Sequence, residues 1–194
     1  MKTTGVLDIG YGNINSVIES LKNLEIRAIS VSDPDVVSTI DYLIVPGVGS
    51  FGAVTTLLQQ TGNGDAIRMR HINKLPTLGI CLGFQIFCMG SEEDHSERGL
   101  GIFEYSFKKL PSPQIGWRKI THKTINAFSG NRFFYFNHGF GAVVEPGHAE
   151  VTALNSEGLL SFAISEATVG VQFHPERSQE AGKAFLNWFF EGRR

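Results

Sequence analysis

Cysteine is scarce in this 194-residue chain, with two residues, Cys81 and Cys88. Without an export signal a disulfide framework is not expected, and each thiol must be judged by its surroundings. Long apolar runs are missing too. Nothing approaches the roughly 18 consecutive apolar residues of a membrane-spanning helix. The first thirteen residues carry one Lys and a short apolar stretch broken by Asp8, which is not a signal-peptide pattern, so a cytoplasmic chain with no membrane partner is expected. No basic block occurs. Lys plus Arg number 17 against 19 Asp plus Glu, and the net charge of −2 argues against nucleic acid as the main partner. The six histidines, at 71, 95, 122, 138, 148 and 174, lack ligand spacing such as His-x₃-His, so no metal is expected. Repeats, linkers and low-complexity segments are absent, which at this length favours one domain over residues 1–194.

What is present is ordinary globular material, 42% hydrophobic and 19% charged, enough to bury a core without staples. Thr4 to Ile9 reads as a buried strand and Gly10-Tyr11-Gly12 as a tight turn. Ile14, Val17, Ile18, Leu21 and Leu24 recur at helical spacing. Ile26 to Val31 is a second strand, Ser32-Asp33-Pro34 a turn, and Tyr42 to Val45 a third strand ending at Pro46-Gly47. Ala53 to Ile72 carries one or two helices, broken near Gly62 and Gly64, and Thr77 to Ile80 is a fourth strand running into Cys81. Strands alternating with helices imply a parallel sheet covered on both faces.

Beyond Ser91 short strands dominate: Ile102–Phe107, Ile115–Thr121, Phe133–Phe136, Glu150–Leu154, Leu160–Ile164 and Val169–Phe173. A closing helix, Gln179 to Phe190, places Ala181, Ala184, Phe185, Trp188 and Phe189 on one face. The expected fold is α/β: three layers around a mostly parallel doubly wound sheet, with extra antiparallel strands in the second half.

The chemistry concentrates in Leu78-Gly79-Ile80-Cys81-Leu82-Gly83-Phe84-Gln85. An apolar strand ends at a cysteine framed by glycines two residues before and two after, the logic of a nucleophile elbow. Small neighbours are needed because such a turn is sharp and its central residue strained. At a helix N-terminus, the dipole and free N–H groups favour the thiolate, and the Leu82 N–H is aimed at an oxyanion. An isolated cysteine is more often core filler, which is the reading for Cys88, placed in the following helix without a glycine frame. Val171-Gln172-Phe173-His174-Pro175-Glu176 supplies a base and its orienter. Pro175 biases His174 toward extended backbone, and residues two apart in extended chain project to one side, so Glu176 reaches one ring nitrogen while the other faces Cys81.

These motifs together resemble the class I (triad) glutamine amidotransferases, whose fold is flavodoxin-like. Pro46-Gly47-Val48-Gly49-Ser50-Phe51-Gly52 is similar to the glutaminase subunit of imidazole glycerol phosphate synthase. So are Asp8-Ile9-Gly10-Tyr11-Gly12-Asn13, Ser91-Glu92-Glu93, Gly99-Leu100-Gly101, Gly116-Trp117 and Arg177-Ser178. The resemblance implies that Cys81 is the nucleophile, His174 the general base and acid, and Glu176 the orienter. It implies a second oxyanion N–H from the Val48-Gly49 loop beside that of Leu82, and glutamine held by Gly49, Gln85 and the backbone of His138-Gly139-Phe140. It also implies a (β/α)₈-barrel cyclase on a separate chain as partner, with Tyr135 and Arg177 near the interface, low glutaminase activity for the isolated chain, and no cofactor. Bare of resemblance, Tyr135 and Arg177 read as ordinary surface.

Three stretches depart from the usual pattern. Gln114 stands for a His, Arg118 for an Asn, and Asn137-His138-Gly139-Phe140 for Val-His-Ser-Tyr. They keep open a divergent relative supplying ammonia for amidine-bearing surface sugars. Two other rivals are weaker. A dinucleotide fingerprint at Gly10-Tyr11-Gly12, with Asp33 about 20 residues on, lacks its third glycine, where Asn15 stands. A catalytically silent binding relative would be expected to lose one of the three motif residues.

Overall fold

Four of the chain's short apolar runs are buried on both faces, and that sets the architecture. In the computed structural model, which describes residues 2–10, 12–121, 132–144 and 151–191, these are β1 (Thr4–Leu7), β3 (Tyr42–Val45), β4 (Thr77–Ile80) and β10 (Thr168–Val171). They pair in parallel as β1-β3-β4-β10, with β2 (Ala28–Val31) on the outer edge of β1. Alternate residues of one strand feed opposite cores: Tyr42 and Ile44 pack into one cluster, Leu43 and Val45 into the other. Two-sided burial of this kind requires helices above and below.

Helix α1 (Ile14–Lys22) and α6 (Gln179–Phe190) cover the first face with Val17, Leu21, Phe185, Leu186 and Phe189. The second face takes α2 (Pro34–Thr39), α3 (Phe51–Gln60), α4 (Asn63–Ile72) and α5 (Leu82–Phe87), with Val37, Val54, Leu58, Ile67 and Phe84. This is the expected three-layer α/β fold. Val54, Leu58 and Ile67 come from two helices, separated where Gly62 takes φ +76°.

On the far side of β10 the sheet turns antiparallel, through β9 (Leu160–Ser165), β8 (Val151–Asn155) and β6 (Ser106–Thr121). Strand β7 (Arg132–Gly141) pairs with β6, and the two-residue β5 (Gly90–Ser91) lies along the other end of β6.

Several expectations need correction. Ser32-Asp33-Pro34 opens α2: Asp33 caps it by accepting from the Asp35 N–H at 2.9 Å, and Pro34 sits where its missing N–H costs nothing. Residues 102–107 and 115–121 are not two strands, because β6 starts at Ser106 and runs through to Thr121, with its register to β7 shifting between Lys109 and Gln114. Pro111 and Pro113 lie in that irregularity, where no ladder N–H is required. Cys88 is the C-cap of α5, outside the helix, and fully buried. The buried face of α6 is Gly182, Phe185, Leu186 and Phe189, with Ala181 and Trp188 at its edge. Tyr11 and Glu150 lie outside the described residues, so the turn is described only at its flanking glycines and β8 from Val151 onward.

Candidate functional site

Strand β4 ends at Ile80, α5 begins at Leu82, and Cys81 joins them with φ 55° and ψ −108°. Left-handed backbone at a non-glycine residue costs on the order of 1–3 kcal/mol and persists only where its surroundings hold it. Here the Cys81 N–H donates to the Val171 carbonyl at 2.7 Å, while the Cys81 carbonyl accepts from the Phe84 and Gln85 N–H groups, both at 3.1 Å. The glycine frame is steric. A Cβ on Gly83 would lie 2.0 Å from the Val45 carbonyl oxygen, and one on Gly79 2.6 Å from the Phe87 ring. Gly47 meets the same elbow from the neighbouring loop, where a Cβ would lie 2.3 Å from the Gly83 nitrogen.

His174 follows β10 in extended conformation, with φ −102° and ψ 95°. Its N–H donates to the Tyr135 carbonyl at 2.9 Å, and its own carbonyl accepts from Ser178 Oγ at 2.6 Å. Glu176 does not reach it along extended chain, as the spacing suggested. A 3₁₀ turn over Pro175–Arg177 folds the carboxylate back, so that Glu176 Oε1 lies 2.8 Å from His174 Nδ1. Both side chains are almost fully buried, at 7% and 6% exposure, so this ion pair is shielded from water. Burial alone would lower the proton affinity of His174. Hydrogen bonding to Cys81 and Glu176, and the charges of both, outweigh it and hold the imidazole pKa up at about 10. Glu176 holds Nδ1, so Nε2 is the nitrogen left to face Cys81 and a reacting group.

Cys81 and His174 open onto one cavity of about 270 Å³, room for an amino-acid-sized ligand. Val48, Gly49, Leu82, Gln85, His138, Gly139 and Phe140 line it with them. Gly49 has φ 119°, backbone that only glycine adopts readily. Nine of the residues singled out in the sequence, counting Cys81 and His174 with these, therefore converge from four separate segments. Glu176 stands behind His174, and Tyr135 and Arg177 lie outside this cavity.

Other participants were quoted in the sequence only as members of motifs, without roles of their own. Glu93 lines the cavity and accepts from the Phe51 N–H at 3.0 Å, tying the site to the start of α3. Gln172 lies beside the sulfur, its Nε2 3.5 Å from Cys81 Sγ. It sits two residues before His174, so the period-two rule applied above to His174 and Glu176 would have found it. The Asn137 carbonyl is 4.0 Å from the thiol. That contact depends on how β7 pairs with β6, which no local motif encodes. Among the described residues no group of three His, Cys, Asp or Glu gathers to hold a metal; His122 and His148 lie outside them.

With this geometry in hand, comparison with known proteins is specific. The sequence model of the family "Glutamine amidotransferase class-I" matches residues 5–192. The chain belongs to that family. The amidotransferase is 34% identical over 197 residues to the imidazole glycerol phosphate synthase subunit HisH of Prochlorococcus marinus, covering 95% of this chain and 92% of the relative. It is 35% identical over 199 residues to the subunit of that name from Pyrococcus furiosus, covering 97% and 98%. Among solved structures it resembles a glutamine amidotransferase with a TM-score of 0.78 at 22% identity, covering 97% of each chain. It also resembles PurLQS from Thermotoga maritima with a TM-score of 0.78 at 17% identity, covering 100% of this chain and 99% of that one. At those identities the two structures speak to the fold alone.

The amidotransferase carries an exposed apolar face on β6 and β7. The Arg177 guanidinium lies 4.0 Å from the Tyr135 ring centre, and Tyr135 meets Trp117 edge to face at 6.0 Å. Ile115, Trp117 and Phe133, on the same pair of strands, are all at least 42% exposed. Such an apolar patch with an Arg at its side has the composition of a docking surface. The departures cluster nearby: Gln114 donates to Glu157 Oε2 at 2.7 Å and accepts from Asn155 at 2.8 Å, and Arg118 also binds Glu157. Beyond Gln114, across the strand pair, stands His138.

Proposed function

We propose that this chain is the glutaminase subunit of an imidazole glycerol phosphate synthase, hydrolysing glutamine at Cys81 and passing ammonia to a separate (β/α)₈-barrel cyclase. The observation that carries the chemistry is a buried His174–Glu176 pair at 2.8 Å beside a strained cysteine, opening on one amino-acid-sized cavity. The histidine-pathway reading rests on relatives of that name at 33–35% identity over nearly the whole chain.

In this reading His174 holds the thiol proton, and the Cys81 thiolate attacks the side-chain amide carbon of glutamine. The tetrahedral oxyanion is met by the Leu82 N–H, free at the first position of α5, and by a second N–H from Val48. His174 Nε2–H protonates the leaving nitrogen, the C–N bond breaks, and ammonia departs from a thioester. Water, deprotonated by His174, cleaves the thioester and releases glutamate. Glu176 keeps the ring oriented and compensates its charge throughout. Gly49, Gln85 and the His138–Phe140 backbone hold the substrate, and the Glu93 carboxylate is suited to its α-ammonium. Ammonia leaves toward the face formed by Tyr135, Arg177 and Trp117, where the cyclase docks and makes imidazole glycerol phosphate and an aminoimidazole carboxamide ribonucleotide. No helix among the described residues is long and apolar enough to cross a membrane, and a cytoplasmic location is part of this reading.

The test is to purify the tagged chain from native lysate, identify the barrel subunit that accompanies it, and assay cyclisation with glutamine and with ammonium salt. Glutamine-dependent cyclisation that requires both chains supports the proposal. A barrel partner acting on an amidine-forming sugar pathway would replace it with the surface-polysaccharide alternative.

A further inference from the structure

The sulfur of Cys81 has a neighbour that the triad does not account for. Gln172 is fully buried, held at its backbone by its N–H to the Ser161 carbonyl at 3.0 Å. Its side-chain amide lies between two residues of the pocket. Gln85 Nε2 donates to Gln172 Oε1 at 3.0 Å, and Gln172 Nε2 is 3.5 Å from Cys81 Sγ. In the structure Gln85 is the donor of this pair. Once Gln85 supplies an N–H, Gln172 must present its oxygen to it and turn its NH₂ toward the sulfur. A buried amide pays for any unmade hydrogen bond, so the arrangement is not free to drift. Gln85 itself is 4% exposed and lines the cavity.

We infer that Gln172 is a further catalytic residue, whose amide N–H stabilises the Cys81 thiolate under the orientation set by Gln85. The inference rests on the reading of Cys81 as nucleophile. When the thiol proton passes to His174 for attack, the sulfur carries the negative charge that a nearby N–H donor favours. Cys81 lines the pocket, His174 supplies the countercharge, and the fully buried Gln172 supplies an N–H donor to the sulfur. The arrangement also joins substrate to nucleophile. Gln85 touches the cavity at one end of the relay and Gln172 touches the sulfur at the other, so a ligand engaging Gln85 acts on the orientation of the group that holds the thiolate. The ionisable groups around the sulfur are His174 from the end of β10, with Glu176 behind it, His138 from β7, and Glu93 from the segment after β5. Changing Gln172 leaves all four in place.

The test is alkylation of the full-length chain with iodoacetamide, with the modified cysteine identified by peptide mass spectrometry. Cys88, fully buried with its thiol 3.4 Å from the Phe84 carbonyl, is the internal reference. In the parent chain Cys81 reacts faster than Cys88 at pH 7 and glutamine protects it. If neither holds, the nucleophile assignment itself falls. Given both, Gln172→Met, which keeps the length and loses the amide, slows Cys81 alkylation at pH 7 by about tenfold. The deficit closes at pH 9.5, where thiols ionise without help. A deficit that persists at pH 9.5 means blocked access and overturns the inference, as does an unchanged rate at pH 7. Gln172→Glu keeps the volume and the acceptor for Gln85 while presenting oxygen to the sulfur, and it carries the test if the Met variant does not fold. In glutamate release by the complex, both variants lower kcat by about tenfold or more with little change in KM. A rise in KM at unchanged kcat would instead make Gln172 a part of the substrate pocket.

Discussion

Tyr135 and His174 are joined backbone to backbone. The His174 N–H donates to the Tyr135 carbonyl at 2.9 Å, and Ser178 Oγ closes the circuit, accepting from the Tyr135 N–H at 2.9 Å and donating to the His174 carbonyl at 2.6 Å. The Tyr135 side chain, stacked under Arg177, faces the proposed cyclase. One residue of the outer face and the backbone that carries the site's imidazole therefore share a hydrogen-bonded ring, with Ser178 at 1% exposure.

Ser178→Ala opens that ring and leaves the Tyr135 N–H without its partner. Chemical denaturation should register a loss of about 1–3 kcal/mol, the cost of an unsatisfied buried donor. Glutamate release by the complex should fall through kcat, and its stimulation by the cyclase should shrink. If stability drops while stimulation stays whole, the ring is scaffolding and does not link the two faces.

The triad makes a sharper prediction. Cys81→Ala should abolish glutamine-dependent cyclisation and leave ammonia-dependent cyclisation intact. It should also lower the pH at which the His174 ring titrates, read by NMR, because the Cys81 charge is one of the causes that raise it. Glu176→Gln should cut turnover by about a hundredfold or more, since the ring loses both its orienter and its countercharge. An effect under about threefold would exclude that role.

How far these residues could be read from sequence depends on how local their logic is. Tyr42–Val45, Thr77–Ile80 and Gln179–Phe190 were legible to the residue, because burial on both faces or a 3.6-residue stripe is written in consecutive positions. Helix α2 was hidden by Pro34, which marks a turn as readily as a first helical turn, and the continuity of β6 by Pro111 and Pro113. Cys81, His174 and Glu176 stood out because each carries its own signature within a few residues. Gln172 was open to the same period-two rule, but Glu93 and Asn137 were not, since their part in the site arises from α3 meeting the segment after β5 and from β7 lying beside β6. Family resemblance supplied Val48, Gly49 and the His138–Phe140 wall; no spacing rule would have.

The glycine frame is testable by sterics alone. In Gly83→Ala the new Cβ meets the Val45 carbonyl oxygen at 2.0 Å, a backbone atom with no flexible side chain to yield. Overpacking of this kind costs about 1–3 kcal/mol or more, and here it displaces the N-terminus of α5 that follows the cysteine. Gly90→Ala is the control, with nothing within 4 Å of its added Cβ. Thermal melts should separate the two clearly, and only Gly83→Ala should lose glutaminase activity. Equal melts would mean the elbow relaxes more easily than its contacts imply.

Stability against pH should peak near neutrality, for opposite reasons at the two histidines of the pocket. Burial, aided by the charges of His174 and Arg118 and opposed by the Phe140 carbonyl at 2.7 Å, holds the His138 pKa down at about 4. Between there and its unfolded value near 6.5 the unfolded chain binds a proton that the fold refuses, so stability falls as pH drops through that window, by up to about 3 kcal/mol. His174 runs the other way. Its folded pKa of about 10 lies above the unfolded one, so its contribution is complete below about pH 6.5 and is lost as pH rises toward 10. Urea unfolding at pH 4.5, 6.5 and 9 should trace both slopes. His138→Gln should flatten the acid slope and leave the alkaline one, while Cys81→Ala, by withdrawing a charge that holds the His174 proton, should flatten the alkaline slope alone. An acid slope that survives His138→Gln would assign that protonation to another group.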